Sequence, residues 1–241
     1  MTEQPDPDSW RSERTVVIRA AAGVGVATGA YALSFGAISV AAGLSTLQTC
    51  ALSLLLFSGG SQFALVGILG GGGGAVSAAA TAILLGTRNA FYGLRLASTL
   101  HATGLRKVAA AQLTIDESTA VSIAQPSPAA ARFGFWATGL SVFVLWNLGT
   151  LIGAVGAGAL KNPETFGFDA AAPAAFVALL AGRMRGREPW LVALLAAAVA
   201  LAVVPFVPVG VPVLFAAVVA IALGIRPTSP ADGEPEADES S

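Results

Sequence analysis

One arginine lies at the midpoint of a long apolar segment, where an ionised side chain is energetically unfavourable. The segment covers residues 76–100, and its central residue is Arg88. An arginine at the centre of a bilayer costs at least about 2.5–3.5 kcal/mol and faces a cavity or a partner. Asn89 adjoins it, and Tyr92 and Arg95 follow on the same helical face. We therefore predict a face that binds a carboxylate through Arg88, whereas Arg95 extends to the membrane interface.

Two neighbouring carboxylates, Asp116 and Glu117, are the candidate partners of this arginine. They could receive an ammonium group or carry a coupling proton. Alternatively, one of them neutralises Arg88 and fixes two helices together, which would make the arginine structural. Thr114 and Glu117 also fit a capping box, which would place Asp116 in the first turn of a helix.

A polar, glycine-containing cluster interrupts the apolar segment 46–69. It consists of Ser58, Gly59, Gly60, Ser61 and Gln62. Two adjacent glycines weaken a helix by about 1 kcal/mol each relative to alanine. Such a cluster is typical of a discontinuous transporter helix, whose unwound backbone lines a cavity near the bilayer midplane. Close helix packing through small residues is the alternative interpretation.

The remaining polar candidates carry weaker signals. Asn147 follows Trp146 at the centre of segment 134–159 and either joins helices or touches substrate. Cys50 and His101 are the single cysteine and the single histidine, and no Cys/His/Asp cluster has metal-ligand spacing, so we predict neither a metal nor a cofactor. A serine hydrolase with Ser61 as nucleophile is the least favoured alternative, because the flanking residues do not match a nucleophile motif.

Composition limits what kind of protein can position these residues. Of 241 residues, 55% are hydrophobic and only 11% are charged, with a net charge of −1. Soluble domains carry about 25% charged residues. These values exclude a soluble enzyme, a nucleic-acid binder and a disulfide-stapled secreted domain. The long apolar runs do not alternate as barrel strands would, so we predict an all-α polytopic membrane protein.

The arrangement of apolar runs predicts about six to eight transmembrane helices, some of them discontinuous. We expect a polar tail over 1–15, a transmembrane transporter domain over 16–225 and an acidic disordered tail over 226–241. Orientation depends on whether residues 112–131 cross the membrane. Without that crossing, the distribution of basic residues places the N-terminus outside, and with it inside. The apolar segments are 16–42, 46–69, 76–100, 134–159, 166–182, 190–206 and 208–225.

The order of these motifs resembles the AzlC family of bacterial branched-chain amino acid permeases. The likeness extends over about residues 20–225, although Gly86 and Asn89 depart from the family's usual residues around the arginine. It implies a hydrophobic amino acid exporter of the bacterial inner membrane, commonly working with a small membrane partner of the AzlD type. The matching stretches are 34–37, 42–45, 56–64, 88–89 with 92–93, 113–118, and 168–169 with 173–180.

Motifs and resemblance together predict a secondary transporter that exports branched-chain or similar hydrophobic amino acids. Arg88 and the helix break at Gly59 and Gly60 would meet the substrate carboxylate. Asp116 or Glu117 would meet its ammonium group or a proton. Apolar faces around two phenylalanines, Phe63 and Phe91, would take the aliphatic side chain. A non-transporting subunit of a membrane complex is the alternative that stays open.

Overall fold

The computed structural model describes residues 7–159, 184, 186–208 and 210–224, which form helices joined by short links and turns. A short 3₁₀ turn, Val204–Phe206, follows the helix Arg187–Val203. The apolar segment expected at 166–182 and the acidic tail expected at 226–241 lie outside the described residues. The helices are α1 (Pro7–Ala41), α2 (Thr46–Leu55), α3 (Gly59–Gly70), α4 (Ala75–Leu100), α5 (Leu105–Leu113), α6 (Asp116–Ile123), α7 (Pro128–Ala159), α8 (Arg187–Val203) and α9 (Val211–Gly224).

Helix lengths and composition agree with an all-α membrane protein. Within the described part of the chain, three helical stretches are long and apolar enough to cross a bilayer: Trp10–Ala41, Pro128–Ala159 and Arg187–Phe206. Helix α4 has 26 residues, which is about 39 Å of helix and more than the bilayer's hydrocarbon thickness. Helix α1 begins at Pro7, inside the stretch expected to be a polar tail.

Helices α1 and α7 form the spine of the fold and run parallel. A β-carbon added at Gly25 would meet Ser141 and Leu145, and one at Gly36 would meet the backbone of Thr150. Later residues of α1 therefore contact later residues of α7, as expected for a parallel pair. At their first turns Ser127 donates a hydrogen bond to Glu13 (3.0 Å). We call this end of the bundle the N-terminal end, and the opposite one the far end.

Glycines allow this pair of helices to approach at backbone distance. An added β-carbon at Gly149 would collide with the carbonyl oxygen of Gly29, and one at Gly153 with that of Leu33. Small residues spaced four apart on both helices are the usual basis of such packing in membranes. Gly25, Gly29, Gly149 and Gly153 therefore serve the packing of these two helices.

Helices α2 and α3 form a hairpin instead of a continuous crossing. The helix is interrupted at 56–58, at the glycine cluster, as the sequence predicts. The chain then turns back toward the end of α1. A β-carbon added at Gly70, the last residue of α3, would lie 3.1 Å from the β-carbon of Ala42, which directly follows α1. Residues of both arms line one cleft, including Leu52 and Leu65. The hairpin thus enters from the far end and its tip lies in the interior.

Helices α5 and α6 form a second hairpin in the stretch whose membrane course the sequence left open. Leu113, at the end of α5, packs on Gly139 of α7, with 3.0 Å from its β-carbon to an added one. Ser122, near the end of α6, donates to the carbonyl oxygen of Ala131 (2.9 Å), back toward the start of α7. This hairpin enters from the N-terminal end, and its tip at 114–115 lies in the interior.

The two hairpins belong to two units of opposite direction. In the first unit α1 runs to the far end, a four-residue link follows, and a hairpin returns into the interior. In the second unit α4 runs back to the N-terminal end and repeats the same sequence of elements. Inverted units of this kind recur in secondary transporters.

The hairpins also change the distribution of charge across the bundle. Because both hairpins turn back, α1, α4 and α7 are the helices of this part that run from one end of the bundle to the other. The links at the far end, 42–45 and 71–74, contain no charged residue. The basic residues of these elements, apart from Arg88, all lie toward the N-terminal end: Arg11, Arg14, Arg19, Arg95, His101, Arg106, Lys107 and Arg132.

Candidate functional site: a central cavity between two hairpin tips

The tips of the two hairpins meet at a cavity in the middle of the bundle. Its volume is about 300 Å³, at the lower end of the range for small-molecule sites. Helices α1, α4 and α7 complete its wall. We call it the central cavity. Its lining residues are Ala27, Thr28, Tyr31, Ser58, Gly59, Gly60, Arg88, Ile115, Asp116, Glu117 and Trp146.

An ion pair joins the middle of α4 to the tip of the second hairpin. The Arg88 guanidinium lies 2.8 Å from an Asp116 carboxylate oxygen, Nη2 to Oδ2. Tyr92, one turn after Arg88, donates its hydroxyl to the other oxygen of Asp116 at 2.7 Å. The Nε of Arg88 is buried and has no hydrogen-bond partner within the described residues. The guanidinium therefore retains a donor after pairing with Asp116.

The two glycines at the first hairpin tip let bulky side chains approach the backbone. A β-carbon added at Gly60 would lie 3.0 Å from Nη2 of Arg88, and one at Gly59 would lie 3.0 Å from the Trp146 ring. Any side chain at position 60 would press on the guanidinium and stretch its ion pair. Sequence reasoning assigned these glycines to unwinding of the helix, whereas the structure has both in the first turn of α3, where they allow this close approach.

Two helix N-termini converge on the cavity from opposite directions. The first N–H groups of any α-helix have no intrahelical partner. In helix α3, which begins at Gly59, no capping side chain bonds them either. Helix α6 begins at Asp116, so Asp116 and Glu117 occupy its first turn, where the helix dipole favours carboxylates. The capping residue is Ile115, whose N–H is bonded by Ser118 (3.1 Å), and not Thr114 as the capping-box pattern indicates. The α3 terminus can therefore receive an external anion.

Trp146 forms an ordered aromatic wall of the cavity. Its indole N–H donates to Oε1 of Gln62 at 2.9 Å, and the Gln62 amide in turn makes long bonds of 3.4 Å to the carbonyl oxygens of Leu52 and Ser53. These carbonyls end the first arm of the hairpin. The predicted site residue Gln62 thus reaches the cavity through Trp146 and fixes its ring.

Several predicted site residues do not line the central cavity. Asn147 donates to the carbonyl oxygen of Phe143 in its own helix (2.7 Å). The side-chain oxygen of Asn89 is buried, as is the hydroxyl of Ser61, and neither has a hydrogen-bond partner among the residues described. Ser61 faces α4, 3.5 Å from the position of a β-carbon at Gly86. The cavity thus gathers Gly59, Gly60, Arg88, Asp116 and Glu117 from the predicted set.

The expected apolar faces around Phe63 and Phe91 differ from the structure. Phe63 is fully buried and packs on Tyr31, with ring centroids 4.8 Å apart. Phe91 is 69% exposed, although it lies only three residues after Arg88 in α4. Neither ring lines the cavity. The aromatic surface that does line it belongs to Tyr31 and Trp146.

The α1 residues of the cavity were missed by sequence reasoning. Thr28 and Tyr31 lie three apart in an otherwise apolar helix, which is the signal that could have identified them. The hydrolase alternative gains no geometric support: Ser61 lies opposite Gly86, and His101 is fifteen residues further along α4, about 22 Å along the helix axis. The described residues hold no group of three or more His, Cys, Asp or Glu side chains that could bind a metal.

The part of the chain that matches a known family includes the whole of this site. The family model described as AzlC protein matches residues 23–160, a range that includes both hairpins and every residue lining the central cavity. No curated protein and no solved structure matches the chain. The matching family is associated with branched-chain amino acid transport. The match extends over more than half of the sequence, so the chain belongs to the AzlC family.

Proposed function

We propose that the protein is a secondary transporter that exports branched-chain or similar hydrophobic amino acids across the bacterial inner membrane. The observation that carries this proposal is the Arg88–Asp116 pair in a cavity bounded by both hairpin tips. An amino acid is a zwitterion, and this cavity offers a cation and two carboxylates together with an aromatic wall. Few other small molecules need that combination.

Each part of the substrate has a counterpart in the cavity. The substrate carboxylate binds Arg88 and the N–H groups at the start of α3, which replaces Asp116 as the counter-ion. Asp116 and Glu117 then receive the ammonium group. The aliphatic side chain lies against Tyr31 and Trp146. A branched aliphatic chain matches this wall because burying its methyl groups contributes about 0.8 kcal/mol per CH₂.

The direction of the units supports alternating access to one central site. Two inverted hairpins whose tips flank a substrate can exchange roles when one unit rocks against the other. The excess of basic residues at the N-terminal end supports a cytoplasmic location for that end. Export then means loading from the N-terminal end and release at the uncharged far end.

The test is amino acid flux in vesicles that contain the purified protein. Wild type should exchange labelled leucine, isoleucine or valine, and Arg88→Gln should abolish the exchange while the protein still inserts. Arg19→Gln, which removes an exposed arginine of α1, is the control for charge alone and should retain flux. Wild-type exchange by the Arg88 variant would refute the assignment.

A second candidate function rests on the same ion pair. At 2.8 Å the pair could simply tie α4 to the second hairpin, in a subunit that does not itself transport. In either case we propose that the chain works with a small membrane partner of the AzlD type. Flux measured with and without a co-expressed candidate partner tests whether this chain is sufficient.

A further inference from the structure

A second cavity, of about 400 Å³, lies at the N-terminal end between α4, the end of α6 and the start of α7. We call it the end cavity. No sequence motif pointed to it, and it shares no lining residue with the central cavity. Its lining residues are Arg95, Leu96, Ser98, Thr99, His101, Ser122, Ile123, Gln125, Pro126, Ser127, Pro128, Ala131 and Arg132.

The end cavity has the chemistry of an anion site. Two arginines, Arg95 and Arg132, line it from different helices, and hydroxyl groups and His101 accompany them. None of its described lining residues carries a carboxylate. An acidic residue, Glu13, lies next to the cavity and accepts a hydrogen bond from the lining residue Ser127. Two guanidinium groups without an acid between them attract a carboxylate and cannot hold an ammonium group.

Helix geometry connects the end cavity to the central one. Arg95 follows Arg88 by seven residues, so both lie on one face of α4, about 10 Å apart along its axis. Tyr92 lies between them, and its hydroxyl is bonded to Asp116 at 2.7 Å. The second hairpin spans the same distance, with Asp116 at the central cavity and Ser122 at the end cavity. The Tyr92–Asp116 bond therefore lies between the arginine of the central cavity and the arginine that α4 contributes to the end cavity.

We propose that Arg95 and Arg132 form an outer site that captures the carboxylate of the amino acid at the N-terminal end and delivers it to Arg88 past Tyr92. This inference rests on the proposed function, since it assigns the entry step for the same substrate. An encounter site changes the rates of entry and exit together. It therefore alters kcat/KM and its salt dependence and leaves the equilibrium affinity of the central site unchanged.

The experiment compares Arg95→Gln, Arg132→Gln and the double variant with wild type, using labelled leucine. The full-length protein is reconstituted in phosphatidylcholine vesicles for flux and kept in detergent for equilibrium binding. The double variant should lose about tenfold in kcat/KM at low salt, with a flatter salt dependence and an unchanged Kd. Arg106→Gln is the matched control: it removes one positive charge at the same end but does not line the end cavity, and it should lose less than twofold.

Each contrary result overturns the inference in a recognisable way. If the double variant behaves as Arg106→Gln does, no outer site operates. If its Kd rises with the loss of flux, the arginines act through the central site. If the loss appears only in vesicles containing phosphatidylglycerol, the cavity holds a lipid phosphate instead of the substrate. Wild type that neither binds nor moves leucine would refute the proposed function itself, a failure visible without any variant.

Discussion

Neutralising both members of the Arg88–Asp116 pair separates a structural role from a transport role. The two side chains are 32% and 29% exposed, so the pair is intermediate between surface pairs worth about 0–1 kcal/mol and buried pairs whose disruption costs about 3–5 kcal/mol. We expect Arg88→Gln and Asp116→Asn each to lower the free energy of unfolding by about 1–3 kcal/mol. Asparagine is nearly isosteric with aspartate, and glutamine, although shorter than arginine, keeps a hydrogen-bond donor at this position.

The double variant Arg88→Gln/Asp116→Asn should be more stable than the sum of the single changes predicts. Each single change leaves one member of the pair without its counter-charge, whereas the double change removes both members. The coupling energy from the cycle should be about 1–2 kcal/mol. Unfolding of the purified variants in detergent micelles gives the four free energies, and leucine exchange in vesicles gives the four activities.

The two measurements together decide between the candidate functions. If Arg88 binds the substrate carboxylate, the double variant regains stability but not exchange, because its cavity has lost the cation. If Arg88 only joins α4 to the second hairpin, exchange or partner assembly returns together with stability. A coupling energy near zero would refute the reasoning, since the 2.8 Å pair would then contribute nothing to the fold.

Two further predictions concern helix packing and orientation. Gly153→Ala should destabilise the protein by about 1–3 kcal/mol, because its methyl group would meet the backbone of Leu33, whereas Gly156→Ala on the same helix has open space and should gain up to about 1 kcal/mol; equal effects in an unfolding assay would contradict close packing of α1 and α7. In a Cys50→Ser background, an impermeant thiol reagent applied outside cells should label Gly71→Cys at the far end and leave Thr103→Cys unlabelled, and the reverse pattern would place the N-terminus outside.

Much of the site could be predicted because the bilayer makes ionised groups rare. In a chain with 11% charged residues, Arg88 and the Asp116–Glu117 pair were conspicuous, and the cavity brings all three together. An interruption of segment 46–69 was also predicted, since adjacent glycines flanked by hydroxyls weaken a helix at a recognisable point; it falls at 56–58, directly before Gly59 and Gly60. These signals are local, and each depends on the cost of placing one residue type in hydrocarbon.

Predictions about faces and crossings succeeded less well. The exposed Phe91 shows that a residue one helical turn from Arg88 need not line the same cavity. Thr28 and Tyr31 were overlooked because one threonine and one tyrosine in an apolar helix are individually unremarkable. The course of segment 46–69 could not be read, because two half-helices have the same apolar length and composition whether they cross or turn back.

The sequence by itself determined that this protein belongs in a lipid bilayer, and it identified the ionised residues whose burial in hydrocarbon costs free energy. Hydropathy requires a bilayer, and the bilayer requires helices whose ionised residues have partners. Only the tertiary structure decided that two interrupted segments fold as inverted hairpins, that their tips meet at Arg88, and that the basic residues collect at one end. The physical reason is that a turn within the membrane depends on contacts with distant helices, such as Leu113 on Gly139, and no local pattern encodes those contacts.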